Sequence, residues 1–238
     1  MKELRICTAW RGNADCLACD GRENSFFAGI APDTVASLDV EVHNVGFSAG
    51  ETLYQAGTRA DHLWVLRTGA VKLLATAFDG EQRIVRVLKP GDIAGIEGLL
   101  AGNYGHTAVS VGEVHACRTP LRAVQRLCLA QAGFQWSLMQ RWQASVRDAE
   151  QWLVDMTSTG ATARVRMARL LLRLRDGESN RIYNFSREDL GRMLGTTVET
   201  ASRIIAAFLR ERLLVRREPA DRFYDADIVR LETTAQEH

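Results

Sequence analysis

With 238 residues and a hydrophobic share of 46%, the chain is long enough for two modest domains and too apolar to be disordered. No apolar run approaches the length of a membrane span, and the opening stretch MKELRICTAWRGNAD lacks the apolar core of a secretion signal, so the cytoplasm is the expected location and no membrane partner is expected. The formal net charge of +1 hides an asymmetry: residues 161–217 carry 13 Arg against six acids, while residues 1–160 carry 15 Lys and Arg against 17 Asp and Glu, and a basic C-terminal segment suits a polyanionic partner.

Residues 1–25 are polar and short of helical or strand period, and read as an irregular arm. The arm bears Cys7, Cys16 and Cys19. The spacing C-L-A-C at 16–19 suits a ligand pair for zinc, an iron–sulfur ligand pair or a redox dithiol. Residues 26–36 predict a short amphipathic helix that buries Phe26, Phe27 and Ile30. Over residues 40–118 short alternating runs recur between Gly-containing turns, with Asp79-Gly80 as a hairpin signal and Pro90-Gly91-Asp92 as a further turn. About eight short strands with such turns imply a jelly-roll-like double sheet.

Residues 120–159 read as helix. Leu121, Val124 and Leu127 mark a first piece ending near Gly133, and a longer helix follows to about Ser158. A heptad reading places Leu138, Trp142, Ser145, Ala149, Trp152 and Met156 on one seam, with Met139, Val146 and Leu153 widening the stripe toward the roll. A helix apolar on more than one side is buried or paired with a partner.

Residues 160–238 predict a helix from Thr162 to Gly177, a short strand at 182–185, two short helices, a hairpin and a last turn near Ile228 to Leu231. The two short helices lie in SREDLGRMLGTTVETASRIIAAFLRERLL, residues 186–214. Ser186 caps the first, Gly195 suits a turn with positive φ, and Thr196 or Thr197 caps the second. This is a helix-turn-helix. At the start of the second helix Thr197, Glu199, Thr200, Ser202 and Arg203 are polar. Glu199, Ser202 and Arg203 share the face away from the apolar stripe, where Arg203 suits guanine and Glu199 the amino group of cytosine. No Gly-rich phosphate loop, paired acidic site or nucleophile elbow is present, so catalysis is not expected.

The phrase V-E-T-A-S-R at 198–203 resembles the recognition helix of the CRP/FNR regulators, nearer the FNR branch. G-E-x-L-Y-x-x-G at 50–57, L-W-V-L-x-x-G-x-V-K-L at 63–73 and L-x-P-G-D-I-x-G at 88–95 resemble the cyclic-nucleotide-binding roll of the same family. The resemblance implies an α+β chain: an arm (1–25), a β-roll sensor domain (26–130), a dimerisation helix (131–159) and a winged helix-turn-helix (160–238). It implies a homodimer on a pseudo-palindromic duplex with TTGAT-type half-sites, and RNA polymerase as a partner. Where the roll of cyclic-nucleotide binders carries Glu and Arg-Ser, this chain has Ile96, with Glu97 adjacent, and His106-Thr107, so no cyclic nucleotide is expected.

The FNR branch holds a [4Fe–4S] cluster with three arm cysteines and one in the roll. Cys16 and Cys19 match the arm pair, and Cys117 in E-V-H-A-C-R-T-P matches the roll ligand. The third arm position is Ser25, and Cys7 is expected to supply the fourth thiolate. The alternatives are a thiol switch, another metal, a small-molecule ligand, haem (with His43, His62, His106 or His115) or no sensor. Cys128 reads as a core residue.

Overall fold

The computed structural model describes residues 9–13, 42–78, 80–157, 160–218 and 221–237. Cys7, Cys16, Cys19, Ser25, Asp79 and the expected helix at 26–36 lie outside them. The chain divides into two compact units, one of residues up to 75 with 86–147, the other of 76–85 with 148 onward.

One sheet, all of it in the first unit except Thr76 and the first four residues of β5, contains β1 (Ala9–Asn13), β2 (His43–Phe47), β3 (Thr52–Tyr54), β4 (His62–Thr76), β5 (Gln82–Leu88), β6 (Ile93–Ala94) and β7 (Thr107–Pro120). Its order is β1-β2-β7-β4-β5, with β3 paired to β7 and β6 to β4. The long strands β4 and β7 form the antiparallel backbone of the roll, bulged near Thr68. Gly69 is required there: its φ is +83°, and a Cβ would lie 2.4 Å from Glu113 O. Leu63, Ala70, Val71, Ala108 and Val114 are fully buried between the strands. Strand β1 corrects the irregular-arm expectation. It pairs antiparallel with β2, Ala9 facing Gly46 and Asn13 facing His43, a non-local pairing that AWRGN does not announce.

Helices α1 (Gly98–Ala101), α2 (Leu121–Ala130) and α3 (Ala132–Thr157) follow the roll's logic. The break between α2 and α3 falls at Gln131, not at Gly133. Gln131 is extended, with φ −136° and ψ 97°, and its N–H still donates to Leu127 O. Its own carbonyl accepts from Phe134 and Gln135, so one residue closes the first helix and opens the next. Gly133 sits inside the first turn of α3.

The seam on α3 is also rotated from its expected place. Trp152 and Met156 are buried within the chain, whereas Met139, Val146 and Leu153, expected to face the roll, are 55%, 43% and 61% exposed. Trp136 continues that exposed stripe. The three lie seven residues apart, the spacing of a coiled-coil position.

The second unit packs α4 (Ala163–Arg173), β8 (Arg181–Tyr183), α5 (Arg187–Leu194), α6 (Val198–Arg210), β9 (Leu214–Val215), β10 (Phe223–Ala226) and α7 (Ile228–Gln236). Thr162 caps α4 by accepting from Val165 N. The helix stops at Arg173 rather than Gly177, because the backbone beyond it joins the small sheet: Tyr183 N donates to Leu174 O and Asp176 N to Arg181 O. Strands β8, β10 and β9 form the three-stranded wing sheet. The expected last turn is a nine-residue helix, α7, capped by Asp227. Its Leu231 is fully buried, a burial worth about 2 kcal/mol.

Candidate nucleic-acid interface and cysteine face

The helix-turn-helix is built by local rules. Ser186 accepts from Asp189 N and starts α5, and Gly195 closes it with φ 62°. Thr197 then caps α6 by accepting from Thr200 N. Gly191 lets the turn close: its carbonyl accepts from Thr196 N, and a Cβ would lie 2.9 Å from Thr196 O. Ala201, Ile204, Ile205 and Phe208 bury the inner face of α6. Arg164 stacks 4.7 Å over the Phe208 ring and pairs with Glu211 just beyond α6.

The opposite face of α6 is open. Thr197, Glu199 and Arg203 are exposed, and Thr200 and Ser202 are half-buried. At about 100° per residue, Glu199, Ser202 and Arg203 fall within one arc of about 100°. Glu199 is held below its usual carboxylate range by its own backbone N–H and the neighbouring Thr197 hydroxyl, so it is an acceptor at neutral pH. Arg217 pairs with Asp225 at 2.7 Å across the wing, and Arg187 donates to the Tyr224 hydroxyl, which ties α5 to β10. A helix with open polar residues at its N-terminal end, backed by a basic winged unit, has the form that enters a duplex groove.

On the other unit, Cys117 is half-exposed on β7, its thiol 3.7 Å from Asn44 Oδ1, which also accepts from Arg67 Nη1. Asn44 and Arg67 were not expected at this face; the register of β2 and β4 on β7 brings them there. Asn13 of β1 faces His43, and His43 faces Arg118. The arm therefore leaves β1 two strands, about 10 Å, from the Cys117 end of β7. In sequence, Cys16 follows Asn13 by three residues. Cys117 is a soft thiol donor on the sheet, the donor type an iron–sulfur group takes, while Cys7, Cys16 and Cys19 lie outside the described residues. The histidines are dispersed in role: His115 pairs with Glu113, His106 faces Glu97, and burial followed by Arg118 pulls the His62 pKa down.

Known proteins match both units. The family model for the cyclic nucleotide-binding domain matches residues 44–131, and that for the Crp-like helix-turn-helix domain matches residues 165–232. The chain belongs to the CRP/FNR family. Among its relatives, the transcriptional activator protein FnrA of Stutzerimonas stutzeri is 27% identical over 69% of this chain and 70% of its own length. The transcriptional regulatory protein btr of Bordetella pertussis is 25% identical over 84% of this chain and 86% of its own. FixK2 from Bradyrhizobium japonicum has the same fold, with a TM-score of 0.71 at 21% identity, covering 83% of this chain and 98% of that one. This CRP/FNR chain is a DNA-binding transcription regulator and not an enzyme.

In this CRP/FNR roll the loop after β6 is closed on itself. Burial pushes the Glu97 carboxyl up, but the neighbouring His106 and the backbone N–H groups of Glu97 and Gly105 outweigh that and leave it below the usual value. His106 Nδ1 lies 3.8 Å from Glu97 Oε1. A carboxylate thus sits inside this loop, beside His106. Tyr54, Trp64 and Tyr104 stack around it, Tyr54 and Tyr104 with centroids 4.1 Å apart. No helix of the described residues is long and apolar enough to cross a membrane.

Proposed function

We propose that the chain acts as a cytoplasmic homodimer on a pseudo-palindromic duplex site, reading base edges with Glu199, Ser202 and Arg203. The observation that carries this reading is the outward face of α6, where these residues stand clear of the protein's own core. Thr197 and Thr200 lie at the helix's N-terminal end, whose unpaired N–H groups suit a phosphate. Arg203 pairs with guanine through its fork, and Glu199 accepts from cytosine. The stripe of Met139, Val146 and Leu153 on α3 supports pairing with a second copy, and a two-fold dimer sets half-sites about one helical turn apart. RNA polymerase is the partner at the promoter.

The signal enters through a [4Fe–4S] cluster held by Cys7, Cys16, Cys19 and Cys117, in response to oxygen, nitric oxide or redox state. When bound, the cluster supplies oxygen-sensitive iron–thiolate bonds. Cys117 anchors the site on β7, and β1, paired with β2, belongs to the same sheet. Four thiolates shared by arm and roll favour the docked arm over the free one. Moving such an equilibrium from 1:99 to 99:1 takes about 5.5 kcal/mol, within the range of metal–thiolate binding. Ser25, at the place of the third arm ligand, favours a second reading, a CRP/FNR regulator without the cluster.

Two measurements test the proposal. Arg203→Ala is expected to weaken binding to the cognate duplex by about 1–3 kcal/mol and to relax the choice at one base pair per half-site; a uniform loss over all sequences makes Arg203 a phosphate contact. Anaerobic purification is expected to give a coloured protein with iron and sulfide that bleaches in air. A colourless protein equally active in air supports the second reading.

A further inference from the structure

We infer that Arg86 and Arg141 are positioning residues that clasp α3 to the β-roll and so fix which face of α3 is left for a partner. This rests on the reading of α3 as the dimer helix. The joint is crossed in both directions. From β5, half-buried Arg86 donates through Nη1 to Ser145 Oγ on α3. From α3, half-buried Arg141 reaches back to the turn after β5, its Nη1 3.5 Å from Gly91 O. Burial pulls the Arg141 pKa down, and the neighbouring Asp92 carboxylate opposes this, so the guanidinium is drawn out of water but not left without a countercharge.

Helix geometry gives the clasp its consequence. Residues 141 and 145 are four apart, about 40° around the helix, and Phe134, buried at 4% exposure, lies on the same face. Met139 and Val146 lie about 140–160° further round from Arg141. The arginine contacts and the exposed apolar stripe therefore occupy nearly opposite sides of α3. An apolar contact alone tolerates a roll of the helix about its axis. Hydrogen bonds to a fixed hydroxyl and a fixed carbonyl do not, because a small rotation breaks their geometry. The clasp thus holds Trp136, Met139 and Val146 toward solvent, in register for a second copy.

Full-length protein carrying Arg86→Met, Ser145→Ala, Ser145→Thr or Arg86→Met with Ser145→Ala separates the possibilities. Hydrogen exchange of peptides from residues 134–149 reads the clasp, and sedimentation reads the dimer. A hydrogen bond from a charged donor is strong enough for a change of about tenfold. The expected result is exchange about tenfold faster in α3 for Arg86→Met and Ser145→Ala, no further change in the double variant, and wild-type behaviour for Ser145→Thr. Peptides from β4 and β7 keep their protection, and the dimer dissociates about tenfold more readily. Unchanged α3 exchange, an increase spread over β4 and β7, or effects that simply add overturns the clasp. A wild-type protein that stays monomeric at every concentration overturns instead the dimer reading on which its purpose rests, and the exchange data then judge the contact alone.

Discussion

Replacing Gly191 by alanine tests whether the α5–α6 turn is closed as tightly as its geometry implies. On helix propensity alone the change stabilises, because alanine is favoured over glycine by about 1 kcal/mol inside a helix. Packing opposes it. The new Cβ would meet Thr196 O at 2.9 Å, short of the 3.4 Å at which ordinary contact begins. Thr196 O is backbone in a turn whose N–H already bonds Gly191 O at 3.0 Å, so no side chain is able to swing aside. Relief needs a shift of several tenths of an ångström, and overpacking of this kind costs about 1–3 kcal/mol. The two effects leave a net loss of about 0–2 kcal/mol. The shift falls on Thr197, the cap of α6, so DNA affinity falls as well. Gly133, in the first turn of α3, is the control: a Cβ there meets nothing within 4 Å, and Gly133→Ala gains about 0.4–1 kcal/mol with DNA binding unchanged. Urea denaturation and duplex titration of both variants decide the matter. A Gly191→Ala protein as stable as Gly133→Ala, with wild-type DNA affinity, refutes the close approach.

Arg212 has φ 57° just past α6, a conformation that costs an L-residue about 1–2 kcal/mol; Arg212→Gly raises stability by about 1 kcal/mol in urea titration once glycine's unfolded-state freedom is deducted. Met139→Glu with Val146→Glu gives a folded monomer by sedimentation, since both positions are exposed in the single chain and the charges meet only across a dimer. Stability falls on acidification in two steps. Burial lowers the His62 pKa from 6.5, so as pH drops below about 6.5 the unfolded chain takes a proton the folded one refuses. Glu97, held below 4.5, contributes stability at higher pH that is lost as pH falls through its folded value. His62→Gln removes the first step and leaves the second, measured by urea midpoints between pH 7 and pH 4.

The helix-turn-helix was legible because its determinants are local. Ser186, Gly195 and Thr197 each act within three or four residues, and the caps and the left-handed glycine stand where those residues imply. The roll was legible for a similar reason, its strands being separated by turns that declare themselves. Strand β1 was not, because its existence depends on β2 some thirty residues away in sequence. On α3 the sequence presents two apolar stripes, and nothing local says which one its own chain consumes. Trp152 and Met156 go inward, and Met139, Val146 and Leu153 go outward. Helix α7 was shortened in the sequence reading because it buries only Leu231, Thr234 and Ala235, while Val229 is 72% exposed. At the recognition face the residues were legible but not their partners: that the Thr197 hydroxyl bonds the Thr200 hydroxyl as well as capping its N–H follows only from the cap geometry.

The central claim is that Glu199, Ser202 and Arg203, presented twice by a two-fold dimer, choose the site. Selection of duplexes from a randomised library by the wild-type chain, repeated with Arg203→Ala, measures this directly. The account predicts an inverted repeat with centres about one helical turn apart for the wild type, and the same repeat with one position per half-site relaxed for the variant. Enrichment of no repeat, or an identical repeat from both proteins, contradicts it.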